Sequence, residues 1–309
     1  MVSLLIETWR YFQSHDGRLL SGAIAFYAAL ALAPLGVLMV LIASIVLPVD
    51  EAQRELIAQL EMFVGPDLAK FLAQAMSDMS TETESLAAPI LGGVFMIYMS
   101  ARLFTMLRRA LNHMWSIRPK LLVHARTDWR QILQRRLLAF AMVLAFGASL
   151  IVLVLLHAVA SGAARFLGGS GYLLTLGQFG SAFAVLTVLI ALTYRWLPDA
   201  FISWRDVIIG AAVTSIFIVG GSLLIGLYLG NASPASWYGA AGSLIVLLLW
   251  IFYTTQIFLL GAVFTRAWAR RQGRAIEPLP YAVPVETPSY RPHGAGGEVT
   301  ADEHLPGAT

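Results

Sequence analysis

Cysteine is absent from this 309-residue chain, and charge is scarce: only 13% of its residues are Asp, Glu, Lys or Arg. The first absence excludes disulfides, thiolate nucleophiles and cysteine-ligated zinc or iron–sulfur centres. The second excludes an ordinary water-soluble surface, because a soluble globular domain carries about 25% charged residues. Hydrophobic residues make up 58% of the chain and the mean hydropathy is +0.72. Lipid must therefore cover much of the folded surface. A cleavable secretory signal is not expected either. Met1 to Asp16 mixes Glu7, Arg10 and His15 with Leu4, Leu5, Trp9 and Phe12, without a basic start, an apolar run and a small-residue cleavage site. It reads as an amphipathic helix at the membrane surface.

What is present is long apolar runs. A helix crosses a bilayer with about 20 mostly apolar residues. Six stretches qualify, at about 19–47, 86–107, 137–159, 172–196, 206–229 and 238–265. The expected fold class is all-α, a polytopic bundle of six transmembrane helices. A soluble core helix is the competing reading for any one of them. Six such runs would leave no polar shell, which rejects it for the set.

The basic residues orient the bundle. Seventeen Lys and Arg fall before the first span, between spans two and three, between four and five, and after the last. Only Arg54, Lys70 and Arg165 fall on the opposite side, and Arg102 lies inside span two. Positive charge is retained in the cytoplasm, so both termini are expected there, in a bacterial inner membrane. Arg102 then sits near the cytoplasmic face, where its long side chain can snorkel. Trp9, Trp115, Trp129, Trp196, Trp204 and Trp268 also fall at that interface, as an aromatic belt would.

The segment 48–85 is acidic but patterned. Leu68, Phe71, Leu72, Ala75, Met76 and Met79 share one helical face, as do Ile57, Leu60 and Val64 ahead of Gly65–Pro66. An amphipathic helical hairpin outside the cytoplasm follows, packed on the bundle or the outer leaflet. A capping role is favoured over a gating one, since amphipathic helices commonly only bury a face. The basic loop 108–136 suits anionic lipid headgroups, and membrane topology accounts for its charge without nucleic acid. Residues 266–309 form a basic juxtamembrane segment and a Pro- and Gly-rich tail, expected to be disordered from about Glu277.

Residues able to do chemistry are few. His113, His124 and Asp128 fit no tight helical ligand spacing, so no metal site, cofactor or catalytic group is assigned. His157 reads as an interfacial packing residue. Asp206, in Ser203-Trp204-Arg205-Asp206, reads as a helix-start carboxylate that offsets free N–H groups. Pro34 lies within the first span and frees the Leu30 carbonyl. Thr254, Thr255 and Gln256 place polar groups within the last span. Leu30, Pro34, Thr254, Thr255 and Gln256 are the candidate lining of a central cavity, with interhelical hydrogen bonding the plainer role of the polar three. Gly226 and Gly230, with Gly239 and Gly242, are candidate helix-packing positions.

Four stretches are similar to the YihY/BrkB family of bacterial inner-membrane proteins, once mislabelled ribonuclease BN. They are Ala25-Phe26-Tyr27 leading to Leu32-Ala33-Pro34-Leu35; Ala110-Leu111-Asn112-His113-Met114-Trp115; Leu197-Pro198-Asp199 with Trp204-Arg205-Asp206 and Gly210-Ala211; and Tyr238-Gly239 through Leu249-Trp250 to Leu260-Gly261-Ala262. The resemblance implies six spans with both ends inside and no settled activity. Val263 stands where the family commonly has a glutamate, and Ala31 where serine is frequent. From all of this the expected function is a non-enzymatic transporter or exporter of a lipid or small amphipathic solute. The alternative is an envelope scaffold; a nuclease is disfavoured.

Overall fold

The computed structural model describes residues 2–64, 66–80, 87–119, 129–166, 171–231, 240–274, 276–279 and 282–284. Helices dominate. Helix α1 (Val2–Ser14) turns through His15 and Asp16 into α2 (Gly17–Ala43), followed by the pair α3 (Val49–Val64) and α4 (Pro66–Ser80). Then come α5 (Ala87–Met114), α6 (Trp129–Phe166), α7 (Gly171–Trp196), α8 (Trp204–Asn231) and α9 (Ala240–Arg271). Asp16 adopts a left-handed backbone with φ of 53°, which a short polar residue tolerates. It turns the chain so tightly that the Phe12 ring fills the place of any side chain on Gly17.

Among the described residues five helices are long and apolar enough to cross a membrane: Gly17–Ala43, Ala141–Gly162, Phe179–Trp196, Trp204–Ser222 and Ile245–Arg271. The sixth expected span falls on α5, a helix of 28 residues for which several side chains between 91 and 97 lie outside the described residues. The chain is thus an all-α polytopic membrane protein. Helix α2 is the hub and packs against α5, α6 and α9, while α7 joins α6 to α8 and α8 lies on α9. The main core collects Ile24, Ala31 and Leu35 of α2, Phe104, Leu111 and Met114 of α5, Tyr194 of α7 and Leu259 and Val263 of α9. Ala31 and Val263, the two departures from the family pattern, are both in it, at 0% and 2% exposure. Alternate faces of the spans expose Phe26, Leu30, Val188, Ile216, Phe217 and Leu249, as lipid-facing helices require.

Glycine sets the closest helix contact. A Cβ on Gly210 would overlap Thr265, one on Gly261 would overlap Thr214, and one on Gly221 would overlap the Tyr253 hydroxyl. These three knit α8 to α9, as small residues do where helix backbones approach. Of the glycines expected in this role, Gly226 and Gly230 lie on α8 and Gly242 on α9, but their surroundings are outside the described residues, as is Gly239 itself.

The α3–α4 hairpin goes deeper than a cap. Ala52 and Leu56 cluster with Ala43, and a Cβ on Gly36 would stand 2.8 Å from Met76 Sδ and 3.4 Å from Leu56 Cδ2. Leu60 and Leu72 cluster with Ala25, Ala28, Ala29 and Leu32, at the midpoint of α2. The hairpin therefore runs down the side of α2 and turns back near half its length. Its packed face agrees with the expected one in part: Leu72 and Met76 are buried and Leu60 packs on the core, but α3 also buries Ala52, Leu56 and Gln59, and Phe71 of α4 is 41% exposed. The small residues Gly36, Ala43 and Ala52 let two helix backbones approach, which decides the face over hydrophobicity alone.

At the other end a short strap closes the bundle. Strand β1 (Ile117–Pro119) pairs antiparallel with β4 (Ala282–Pro284), and β2 (Ala200–Phe201) with β3 (Glu277–Pro278). Here the expectation of disorder from Glu277 is corrected. The segment forms strands because Ser116–Pro119 and Asp199–Phe201 offer it unpaired backbone; Leu279 N–H also bonds the Asp199 carbonyl at 3.0 Å. Residues from 285 onward lie outside the described residues. Helix α1 too is packed: Leu4 clusters with Phe264 and Ala267 of α9, and Phe12 is fully buried.

Candidate functional site

The α1 end of the bundle holds a network of polar side chains built from four elements. Arg108 on α5 donates from Nε to Asp199 Oδ2 at 3.2 Å and from a terminal guanidinium nitrogen to Oδ1. Asn112, one helical turn on, donates to Oδ2 at 2.7 Å and accepts the Asp199 backbone N–H at 2.8 Å. Asp199 is 2% exposed, so this exchange satisfies a carboxylate that burial would otherwise penalise. The indole N–H of Trp115 donates to the Ala262 carbonyl at 2.9 Å. Trp115 is 3% exposed, a core residue and not part of an interfacial belt. Trp196 and Trp204, by contrast, are half-exposed, with their rings 6.2 Å apart.

Around this network lies a cavity of about 400 Å³ lined by Phe104, Thr105, Arg108, Arg109, Asn112, His113, Ile117, Arg118, Leu138, Leu197 and Asp199. Its rim is basic. Arg109 and Arg118 are exposed, and among the described residues neither has an acidic partner. Nearby, His15 stacks on Tyr11 at 3.8 Å and meets His113 edge-on at 6.0 Å. Burial, then the neighbouring His113, hold the His15 pKa below its ordinary value, with Asp16 opposing. His124 and Asp128, weighed with His113 as metal ligands and set aside on their spacing, lie outside the described residues.

A second polar contact was missed in the sequence. Asp206 is 1% exposed and accepts two hydrogen bonds from Arg274, at 2.9 and 2.5 Å. Its first-turn position remains, but its partner is a guanidinium brought back from beyond α9. Arg271 reaches Glu7 at 3.1 Å, and Arg266 lies over the Tyr11 ring at 4.3 Å. Arg102 stays exposed, with its Nε donating to Tyr98 Oη at 3.0 Å.

At the opposite end, His157 Nδ1 lies 3.2 Å from Glu55 Oε1. The pair joins α6 to α3 beside a cavity of about 520 Å³ that Glu51, Arg54 and Ser161 also line. Two further cavities flank α1: an apolar groove of about 320 Å³ against α8 and α9, and an open one of about 560 Å³ along its polar face. None of the five expected lining residues borders these four cavities. Leu30 is 44% exposed, Pro34 is buried within an unbroken α2, and Gln256 is half-buried. The Thr255 hydroxyl bonds back to the Ile251 carbonyl at 2.7 Å. That of Thr254 is buried without a partner among the described residues.

The stretches that resemble a family in sequence thus meet in space: Asn112 holds Asp199, and Trp115 holds Ala262. A family model described as virulence factor BrkB matches residues 8–285, through the end of β4. The chain belongs to the BrkB family. It is 28% identical over 264 residues to a UPF0761 membrane protein of Chromobacterium violaceum, covering 83% of this chain and 59% of that one. The UPF0761 membrane protein NMB0524 of Neisseria meningitidis serogroup B is 26% identical, covering 82% and 60%. The chain thus spans about three-fifths of the length of these curated relatives. The ribonuclease-like protein YfkH of Bacillus subtilis (strain 168) is 23% identical, with 84% and 93% covered. No solved structure matches.

Proposed function

We propose that this BrkB-family membrane protein is a transporter or exporter of a lipid or small amphipathic solute, without catalytic chemistry of its own. In this reading six helices span the bacterial inner membrane, with the α1 end and the strap in the cytoplasm, as the distribution of Lys and Arg favours. One observation supports transport over a solid scaffold. The α3–α4 hairpin carries exposed polar groups to the middle of the bundle. Leu60 and Leu72 pack at the midpoint of α2, and beside them Glu61 and Lys70 are exposed. Placing either charge in hydrocarbon costs a few kcal/mol by insertion scales. Hairpins of this kind occur at membrane depth where they line a water-filled cavity or are covered by protein. A wet vestibule on the side where α3 and α4 enter satisfies both residues and gives an amphipathic solute a polar path.

The absence of native cysteine makes the test direct. Single cysteines at Glu61, Lys70 and Leu30 should be treated in intact spheroplasts with a membrane-impermeant thiol reagent. Labelling at 61 and 70, but not at lipid-facing 30, is expected. Reconstituted protein should then move at least one member of a panel of labelled lipids and osmolytes, and Lys70→Gln with Glu61→Gln should slow it. Protection of both hairpin sites in a folded protein would leave the scaffold ahead.

A further inference from the structure

We infer that the basic cavity at the α1 end is a binding site for the headgroup of an anionic phospholipid. This stands independently of whether the protein transports anything. The charge balance is the first ground. Among the described residues Asp199 is the only carboxylate lining the cavity, and Arg108 and Asn112 already occupy it. Arg109 and Arg118 are left as two guanidinium groups on the rim, with His113 half-buried beside them. A phosphate diester offers the oxygens that two planar guanidinium groups bind best, through paired hydrogen bonds.

The second ground is that the cavity is built and held. Arg118 lies in β1, which β4 fixes by pairing Arg118 with Val283. The opposite wall, Leu197 to Asp199, leads into β2, which β3 fixes, and the Leu279 N–H ties down the Asp199 carbonyl. One strap therefore sets both sides of the opening, and a preorganised site loses less affinity to ordering its own loops.

The third ground separates lipid from a soluble anion. Part of the lining is apolar, with Phe104, Ile117 and Leu138. Leu138 lies next to Leu137, which is 55% exposed, and one turn before the apolar stretch that begins at Ala141. Leu144, further along the same helix, is 39% exposed. A headgroup seated on Arg109 and Arg118 thus has its acyl chains directed along a lipid-facing strip of α6. Basic pockets between membrane helices bind such headgroups for this reason.

The test is native mass spectrometry of the detergent-purified full chain titrated with phosphatidylglycerol or phosphatidylcholine. Wild type should retain phosphatidylglycerol in preference. Arg109→Gln with Arg118→Gln should weaken that retention by roughly 25-fold, about five-fold for each arginine. The control removes the same charge from the same end: Arg205→Gln with Arg270→Gln, both exposed and outside the cavity, should change it less than three-fold. Arg118→Gln alone should give the single five-fold step if the double variant proves unstable. Equal retention of the two lipids, or equal loss in the variant and control pairs, would overturn the assignment. So would displacement of the lipid by millimolar glycerol phosphate, which would make the ligand a soluble anion.

Discussion

Asn in place of Asp199 removes the charge from the centre of the α1-end network while keeping its shape. The carboxylate is 3% exposed and Arg108 is 14% exposed. In the variant an amide group faces either the guanidinium or the Asn112 amide, so one hydrogen bond becomes a donor–donor contact and Arg108 loses its counter-charge. Breaking a buried ion pair from one side costs about 3–5 kcal/mol. The remaining exposure of Arg108 lets water recover part of this, which places the loss near the lower limit, about 3 kcal/mol. At about 2–4 °C per kcal/mol, Asp199→Asn should lower the melting temperature in detergent by about 6–12 °C. Arg108→Gln tests the cause. If the damage is the stranded charge, the double variant Asp199→Asn with Arg108→Gln should be more stable than Asp199→Asn alone. A shift below about 2 °C, or strictly additive losses, would show that the pair does not hold the end of the bundle together.

Gly261→Ala should destabilise the α8–α9 contact by about 1–3 kcal/mol, because its methyl group overlaps Thr214; thermal unfolding with and without Thr214→Ala checks this, as the pair should recover part of the loss. Acidification should weaken the α1 end through His15. Its folded pKa lies below the ordinary 6.5 because of burial and His113, so its contribution is complete above that value and is lost as pH falls through the folded pKa. Melting curves from pH 8 to pH 5 should show a decline that His15→Gln flattens.

Much of the architecture was legible in the sequence because hydrocarbon imposes a simple rule. Backbone groups in lipid must bond within their own helix, so an apolar run of sufficient length has one available structure. The runs within 19–47, 137–159, 172–196, 206–229 and 238–265 are helices for that reason. The amphipathic hairpin was legible from its period, and the gathering of basic residues at one end from their loops. Periodicity found Leu60 but missed Ala52, Leu56 and Gln59 on α3, since the close fit of Gly36, Ala43 and Ala52 depends on which helix lies opposite.

The candidate site was legible only in fragments. Asn112 and Asp199 lay in separate stretches of resemblance, and nothing local marked either as the other's partner across 87 residues. Arg274 looked like one more cytoplasmic charge, yet it neutralises the buried Asp206. The strap residues 276–279 and 282–284 had the composition of a disordered tail and are ordered by strands that lie elsewhere in the chain. Composition and hydropathy therefore determined that this protein is a helical membrane bundle, since those properties act on each segment alone against lipid. Tertiary structure alone decided which polar groups are paired, how deep the hairpin reaches and where a basic cavity opens. Those outcomes depend on distances between segments, which a linear pattern of side chains does not encode.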